Sequence, residues 1–217
     1  MEASLAAEVE RVAAILRRGG VVAYPTETFY GLGARALDAR GVAAVAALKG
    51  RDAGKPIAVI VGDVSQVECI VARVPALARR LIARWWPGPL TLVLPARGDL
   101  PPELTAGTGT IGVRVSSHPV ARALAALGPL TATSANPGGM PSARDIATAR
   151  AYFGEHVEVY VDRGTLAGEV GSTVLVVGDD SARVVRAGAV AVEALRDVLG
   201  ETPISLDETD TSRGKTR

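Results

Sequence analysis

The run Pro56-Ile57-Ala58-Val59-Ile60-Val61 constrains the fold more than any other stretch, because it is apolar without alternation. A strand with one wet face alternates apolar and polar side chains. A continuous apolar strand is covered on both faces, which calls for a layered structure. The surrounding pattern supplies the layers. Leu5, Val9, Val12, Ile15 and Leu16 recur at helical spacing and stop at Gly19-Gly20. Val21 to Tyr24 reads as a short buried strand, and Val42 to Leu48 as a helix ending near Lys49-Gly50. Asp63 is placed to cap a following helix, and Pro75 to open another that runs to Trp86. "GPLTLVLPA" and "TIGVRV" are strands, "HPVARALAALG" is a helix opened by His118, and "PLTAT" is a short strand. Ile146 to Tyr152 is helical, "VEVYVD", "STVLVV" and "ARVVR" are late strands, and Ala189 to Leu199 is the last helix. Strands that alternate with helices and then cluster late predict an α/β fold with a mixed parallel and antiparallel sheet. Residues 1–200 read as one domain. Residues 201–217, "ETPISLDETDTSRGKTR", are polar and aperiodic and are expected to form a disordered tail.

Composition removes several classes of function. The formal net charge is +1, so no global field favours nucleic acid or a membrane surface, although a local basic face is compatible with it. Cys69 is the single cysteine, and His118 and His156 have no second ligand at helical spacing, so neither disulfides nor a side-chain metal site are expected. No apolar run reaches the ~20 residues of a membrane helix. The residues after Met1 lack the basic start and apolar stretch of a signal peptide, so a soluble cytoplasmic protein is expected.

Three segments concentrate hydrogen-bonding groups. "PTETFYGLG", Pro25 to Gly33, leaves a buried strand with Thr26, Glu27 and Thr28 and closes on two glycines. It reads either as a ligand loop at a strand end or as a turn with capping hydroxyls. "KGRDAGKP" gathers Lys49, Arg51 and Lys55 at a helix end. In a chain with 21 Arg and 3 Lys, two lysines this close suggest a site for a compact charge. The cluster could surround a polyphosphate. It is no Walker A loop, because three residues separate Gly50 from Gly54 and Pro56 follows Lys55. "TATSANPGG" offers Ser134 and Asn136 before a forced turn, suited to phosphate contact or to an Asx-type turn. On the strand after Gly109, alternation puts Thr110, Gly112, Arg114 and Ser116 on one face, toward a ligand or toward solvent. Ser172 and Arg186 are further candidates for ligand contact. No Ser-His-Asp arrangement, HExxH or GxGxxG is present, so any chemistry would rest on positioning and cationic stabilisation.

The order "PTETFYGLG", "KGRDAGKPIAVIV", "WPGPLTLVL", "GVRVSSHPVARAL", "TSANPGGMPSA" and "GSTVLVV" resembles the YrdC-like family of threonylcarbamoyl-AMP synthases, over roughly Ala13 to Leu195. The resemblance implies a twisted α/β sheet, flanked by helices, around a large concave cavity, in the short form without a second domain. It implies a nucleotidyltransferase that converts L-threonine, bicarbonate or CO₂, and ATP into threonylcarbamoyl-AMP and pyrophosphate, with Mg²⁺ expected alongside the nucleotide. Lys49 and Arg51 are then the catalytic cations. Lys49, Arg51, Lys55, Thr110, Ala132, Ser134, Asn136, Ser142 and Arg186 would meet ATP, and Thr28, Arg114 and Ser172 would hold threonine. Expected partners are tRNA or double-stranded RNA and downstream tRNA threonylcarbamoyltransferase proteins. An RNA-binding or catalytically degenerate module of the same family is the competing reading. A carbamoyltransferase module of a hydrogenase-maturation factor is disfavoured by the single cysteine and the length. Ile60 stands where many family members have His, and Gly171 and Phe29 also depart from the commoner residues.

Overall fold

The computed structural model describes residues 2–50 and 55–207. In chain order the elements are α1 (Glu2–Arg17), β1 (Val22–Pro25), β2 (Tyr30–Gly33), α2 (Ala39–Leu48), β3 (Val59–Ile60) and a 3-10 turn (Val64–Cys69). Then come α3 (Ala76–Trp85), β4 (Leu90–Pro95), α4 (Pro102–Thr105), β5 (Thr110–Arg114), α5 (Pro119–Ala126), β6 (Leu130–Thr131) and β7 (Thr133–Ser134). The chain continues through α6 (Ile146–Phe153), a 3-10 turn (Gly154–His156), β8 (Val159–Tyr160), β9 (Thr173–Val177), β10 (Ala182–Arg186), α7 (Val192–Leu199) and β11 (Ile204–Leu206).

These strands build two sheets. The larger has the order β11-β10-β9-β4-β5-β3-β6 and the smaller β7-β2-β1-β8. Both are mixed: β4 runs parallel to β9 and antiparallel to β5, while β1 runs antiparallel to β2 and parallel to β8. The expected mixed α/β sheet is therefore present, divided in two. β3 explains its own composition. Ile57, Val59 and Val61 enter one apolar core, and Ile60 enters a second, with Val12, Tyr24, Val120 and Leu124. Each Ile or Leu buried this way contributes about 1.5–3 kcal/mol relative to exposure. Replacing Ile60 by a charged residue would uncouple β3 from α5.

Several elements differ from the sequence reading. β2 was not expected, because the glycines of "YGLG" look like turn residues, yet Val22 to Pro25 pair with Gly33 to Tyr30 in an antiparallel hairpin. Gly33 is required by packing: a Cβ there would lie 2.7 Å from the Tyr24 ring. Asp63 does cap, accepting from Ser65 N–H at 2.7 Å, but the segment it caps is a 3-10 turn. "PLTAT" is two strands in two sheets, since Thr131 pairs with Val59 and Thr133 with Leu32. The chain crosses from one sheet to the other at Ala132. Part of the segment expected to be disordered is a strand, because Ile204 to Leu206 pair in parallel with Ala182 to Val184. Residues 208–217 lie outside the described residues. No helix among the described residues is long and apolar enough to cross a membrane.

Candidate active site

A cavity of about 1000 Å³ is lined by residues of both sheets. Its apolar floor is made by Ala58, Val93, Val174, Val176 and Val185. Thr110, Gly112 and Arg114 of β5 line it together, as the two-residue period requires. The rim comes from Thr26, Thr28 and Phe29 of the β1–β2 turn, from Ala132 to Ser134 at the sheet crossing, from Ser142, and from Glu169 to Ser172. Of the candidate residues described, Thr28, Thr110, Arg114, Ala132, Ser134, Ser142, Ser172 and Arg186 meet around this one space.

The β1–β2 turn is held by Thr26. Its hydroxyl donates to Phe29 O at 2.7 Å and accepts from the N–H groups of Thr28 and Phe29 at 3.2 and 3.3 Å. Thr26 is thus the turn's internal cap, whereas the Thr28 hydroxyl lies 3.0 Å from that of Thr26 and lines the cavity. Glu27, between them, accepts from Arg114 Nη1 and from Ser116 Oγ. Tyr24 lies under the turn, fully buried, donating to Thr131 O at 2.8 Å. Burial pushes its phenol well above the ordinary range, with Arg114 partly offsetting this.

Across the cavity, Ser172 Oγ and Thr91 Oγ1 are 2.8 Å apart. Arg186 Nη2 donates to Ser172 O at 2.8 Å and to Ser172 Oγ at 3.1 Å. Arg186 therefore orients Ser172 as well as lining the space itself.

The Lys49 ammonium is engaged elsewhere. It is buried and donates to Ser134 O at 2.8 Å, to Asn136 Oδ1 at 3.0 Å and to Asn136 O. Asn136 Oδ1 also accepts from Ser134 Oγ at 2.5 Å, and Asn136 Nδ2 donates to Pro137 O at 3.1 Å. Ser134 lines the cavity, but Lys49 and Asn136 do not. These three residues form a clamp: the lysine donates to inward-turned carbonyls, and Asn136 accepts from the Ser134 hydroxyl. Lys55 is exposed and outside the cavity wall. Arg51 lies outside the described residues.

Sequence reading missed Thr91, which looks like an ordinary strand threonine, and the connection from β8 to β9. In that connection Gly168 presses on the β1–β2 turn: a Cβ there would stand 2.1 Å from Thr28 O. Gly168 and Thr28 are 140 positions apart, so only the folded chain reveals the contact. Arg183, another lining residue, pairs with Asp207 just beyond β11. The described residues hold no group of three or more His, Cys, Asp or Glu that could bind a metal ion.

The Sua5/YciO/YrdC family model, described as "Telomere recombination", matches residues 14–188. A Mycobacterium leprae relative is 40% identical over 194 residues, which cover 89% of this chain and 88% of that one. The threonylcarbamoyl-AMP synthase of Bacillus subtilis is 38% identical over 204 residues, 93% of this chain and 58% of its own. The crystal structure of Pyrococcus abyssi Sua5 complexed with L-threonine superposes with a TM-score of 0.86 at 36% identity, covering 90% of this chain and 58% of that one. Escherichia coli YciO gives 0.77 at 28% identity, covering 86% of this chain and 92% of that one. A hairpin turn, a sheet crossing and a β9 entry that meet at one cavity, in a chain matched this widely, belong to a protein of the Sua5/YciO/YrdC family.

Proposed function

We propose that this protein is a threonylcarbamoyl-AMP synthase, a cytoplasmic nucleotidyltransferase that joins L-threonine, bicarbonate and ATP and releases pyrophosphate. The observation that carries the reading is the buried Arg114 guanidinium at the cavity wall, with Thr28 and Ser172 on the same wall. A guanidinium suits a carboxylate, and hydroxyls suit the polar groups of a small amino acid. The same cavity extends past Ser134, Ser142 and Thr110, with room and an apolar floor for a nucleotide.

In this reading Arg114 holds the threonine carboxylate, and Thr28 and Ser172 orient the rest of the molecule. The amine, once deprotonated, takes up CO₂ derived from bicarbonate to form a carbamate. A carbamate oxygen attacks the α-phosphorus of ATP, and the bond to pyrophosphate breaks. Arg51, Lys55 and Arg186 offset the phosphate charge, and Lys49 acts by keeping Ser134 in place. No protein nucleophile is needed. Among the described residues the cavity wall carries one acid, Glu169, and magnesium would arrive with the ATP phosphates as part of the substrate. The product would pass to a tRNA threonylcarbamoyltransferase, with tRNA as the final acceptor.

The test is pyrophosphate release with threonine, bicarbonate and ATP, each omitted in turn. Release that needs all three is expected. ATP binding with no threonine-dependent release would overturn the reading.

A further inference from the structure

Glu27 sits in the turn that presents Thr26 and Thr28, yet it is absent from the cavity wall. It faces inward behind the wall. One carboxylate oxygen accepts from Arg114 Nη1 and the other from Ser116 Oγ. The Arg114 and Glu27 side chains are only 8% and 15% exposed. Ser116 Oγ in turn accepts from His118 N–H at 3.2 Å, which ties the contact to the start of α5. The carboxylate thus joins the small-sheet hairpin to β5 of the large sheet, beside the residue read as the carboxylate binder.

A guanidinium is a flat fork with five N–H donors. Left unpaired in a buried position, it would turn toward whatever acceptor lay nearest. Held at Nη1 from behind, it has one orientation, and its remaining donors have a defined direction. We infer that Glu27 is a positioning residue: it sets the orientation in which Arg114 meets the carboxylate of the amino-acid substrate. This rests on the reading of the cavity as a threonine site. Glu27 touches no reacting atom and acts through Arg114. Its loss adds net positive charge, which attracts a carboxylate, but it also removes the contact that fixes the guanidinium's orientation. Geometry wins, because misplacing a group by about 1 Å can cost on the order of a hundredfold in rate.

The experiment measures threonine KM, ATP KM, kcat and thermal midpoint for the wild type, Glu27→Ala and Glu27→Gln, with threonine binding followed separately by calorimetry. The expected result is a threonine KM raised by about tenfold or more in Glu27→Ala, with ATP KM within about twofold. Glu27→Gln keeps an oxygen acceptor for the guanidinium, so it recovers part of the loss. Two results would overturn the inference. One is an unchanged threonine KM in both variants. The other is a parallel rise of both KM values with a falling thermal midpoint, the mark of a residue that only holds the loop. If Glu27→Ala does not fold, Glu27→Gln decides alone by the same threonine-against-ATP split. A wild type that needs no threonine would instead sink the functional reading beneath it.

Discussion

At the scale of single residues, Lys49 has partners that its sequence neighbourhood does not show. Its type and spacing pointed to a phosphate, and nothing local reveals that its ammonium caps carbonyls of Ser134 and Asn136. Those acceptors come from 85 and 87 positions away. Lys49→Met is expected to lose about 1–3 kcal/mol of stability, because buried acceptors lose their donor. Turnover should fall too, as the Ser134 hydroxyl drifts. Urea denaturation beside pyrophosphate release checks both; a purely phosphate-facing lysine would lower turnover and leave the denaturation midpoint in place. Gly168→Ala makes the complementary case. Its Cβ would collide with Thr28 O, a backbone atom that cannot swing aside. Threonine KM should rise at least about fivefold, since a displacement of that order near a ligand misaligns it. Kinetics with threonine varied at saturating ATP measure this.

At the scale of elements, α5 carries a pH dependence. His118 Nδ1 accepts from Val120 N–H at 3.2 Å and caps the helix, a role that requires the neutral ring. Burial lowers its pKa below the ordinary 6.5, with Glu27 opposing and Arg163 assisting. The unfolded chain therefore takes up the proton first as pH falls. This share of stability is complete above the ordinary value, declines as pH drops through 6.5, and levels off below the depressed folded value. His118→Asn keeps a side-chain cap and removes the titration. Denaturation midpoints between about pH 8 and about pH 5 should show a smaller decline in the variant than in the wild type. The helix and its opening residue were both legible in "SHPVARAL", because capping is local. β2 was not legible, because its glycines answer to the Tyr24 ring. β11 was not, because an edge strand of three residues borrows its order from β10.

At the scale of the molecule, the order of helices and strands was enough to give a mixed α/β architecture. It was not enough to divide the strands between two sheets, since that division turns on single residues such as Ala132. The cavity was partly legible for the same reason. Two of the three polar segments named from the sequence, "PTETFYGLG" and "TATSANPGG", supply rim residues, whereas the floor is built largely from valines that look like any other core. The order of the larger sheet also bears on how the chain is made. β4 lies between β5 and β9, and its Leu90 to Val93 pair with Thr173 to Val176, more than eighty residues further along. During synthesis β4 can take β5 as a neighbour early, but its other edge stays open until β9 leaves the ribosome. That edge is apolar and unpaired for the whole interval, the kind of surface that recruits other strands. A ribosome stalled before Thr173 would hold a chain with a sticky flank and no finished cavity, because one central strand arrives late.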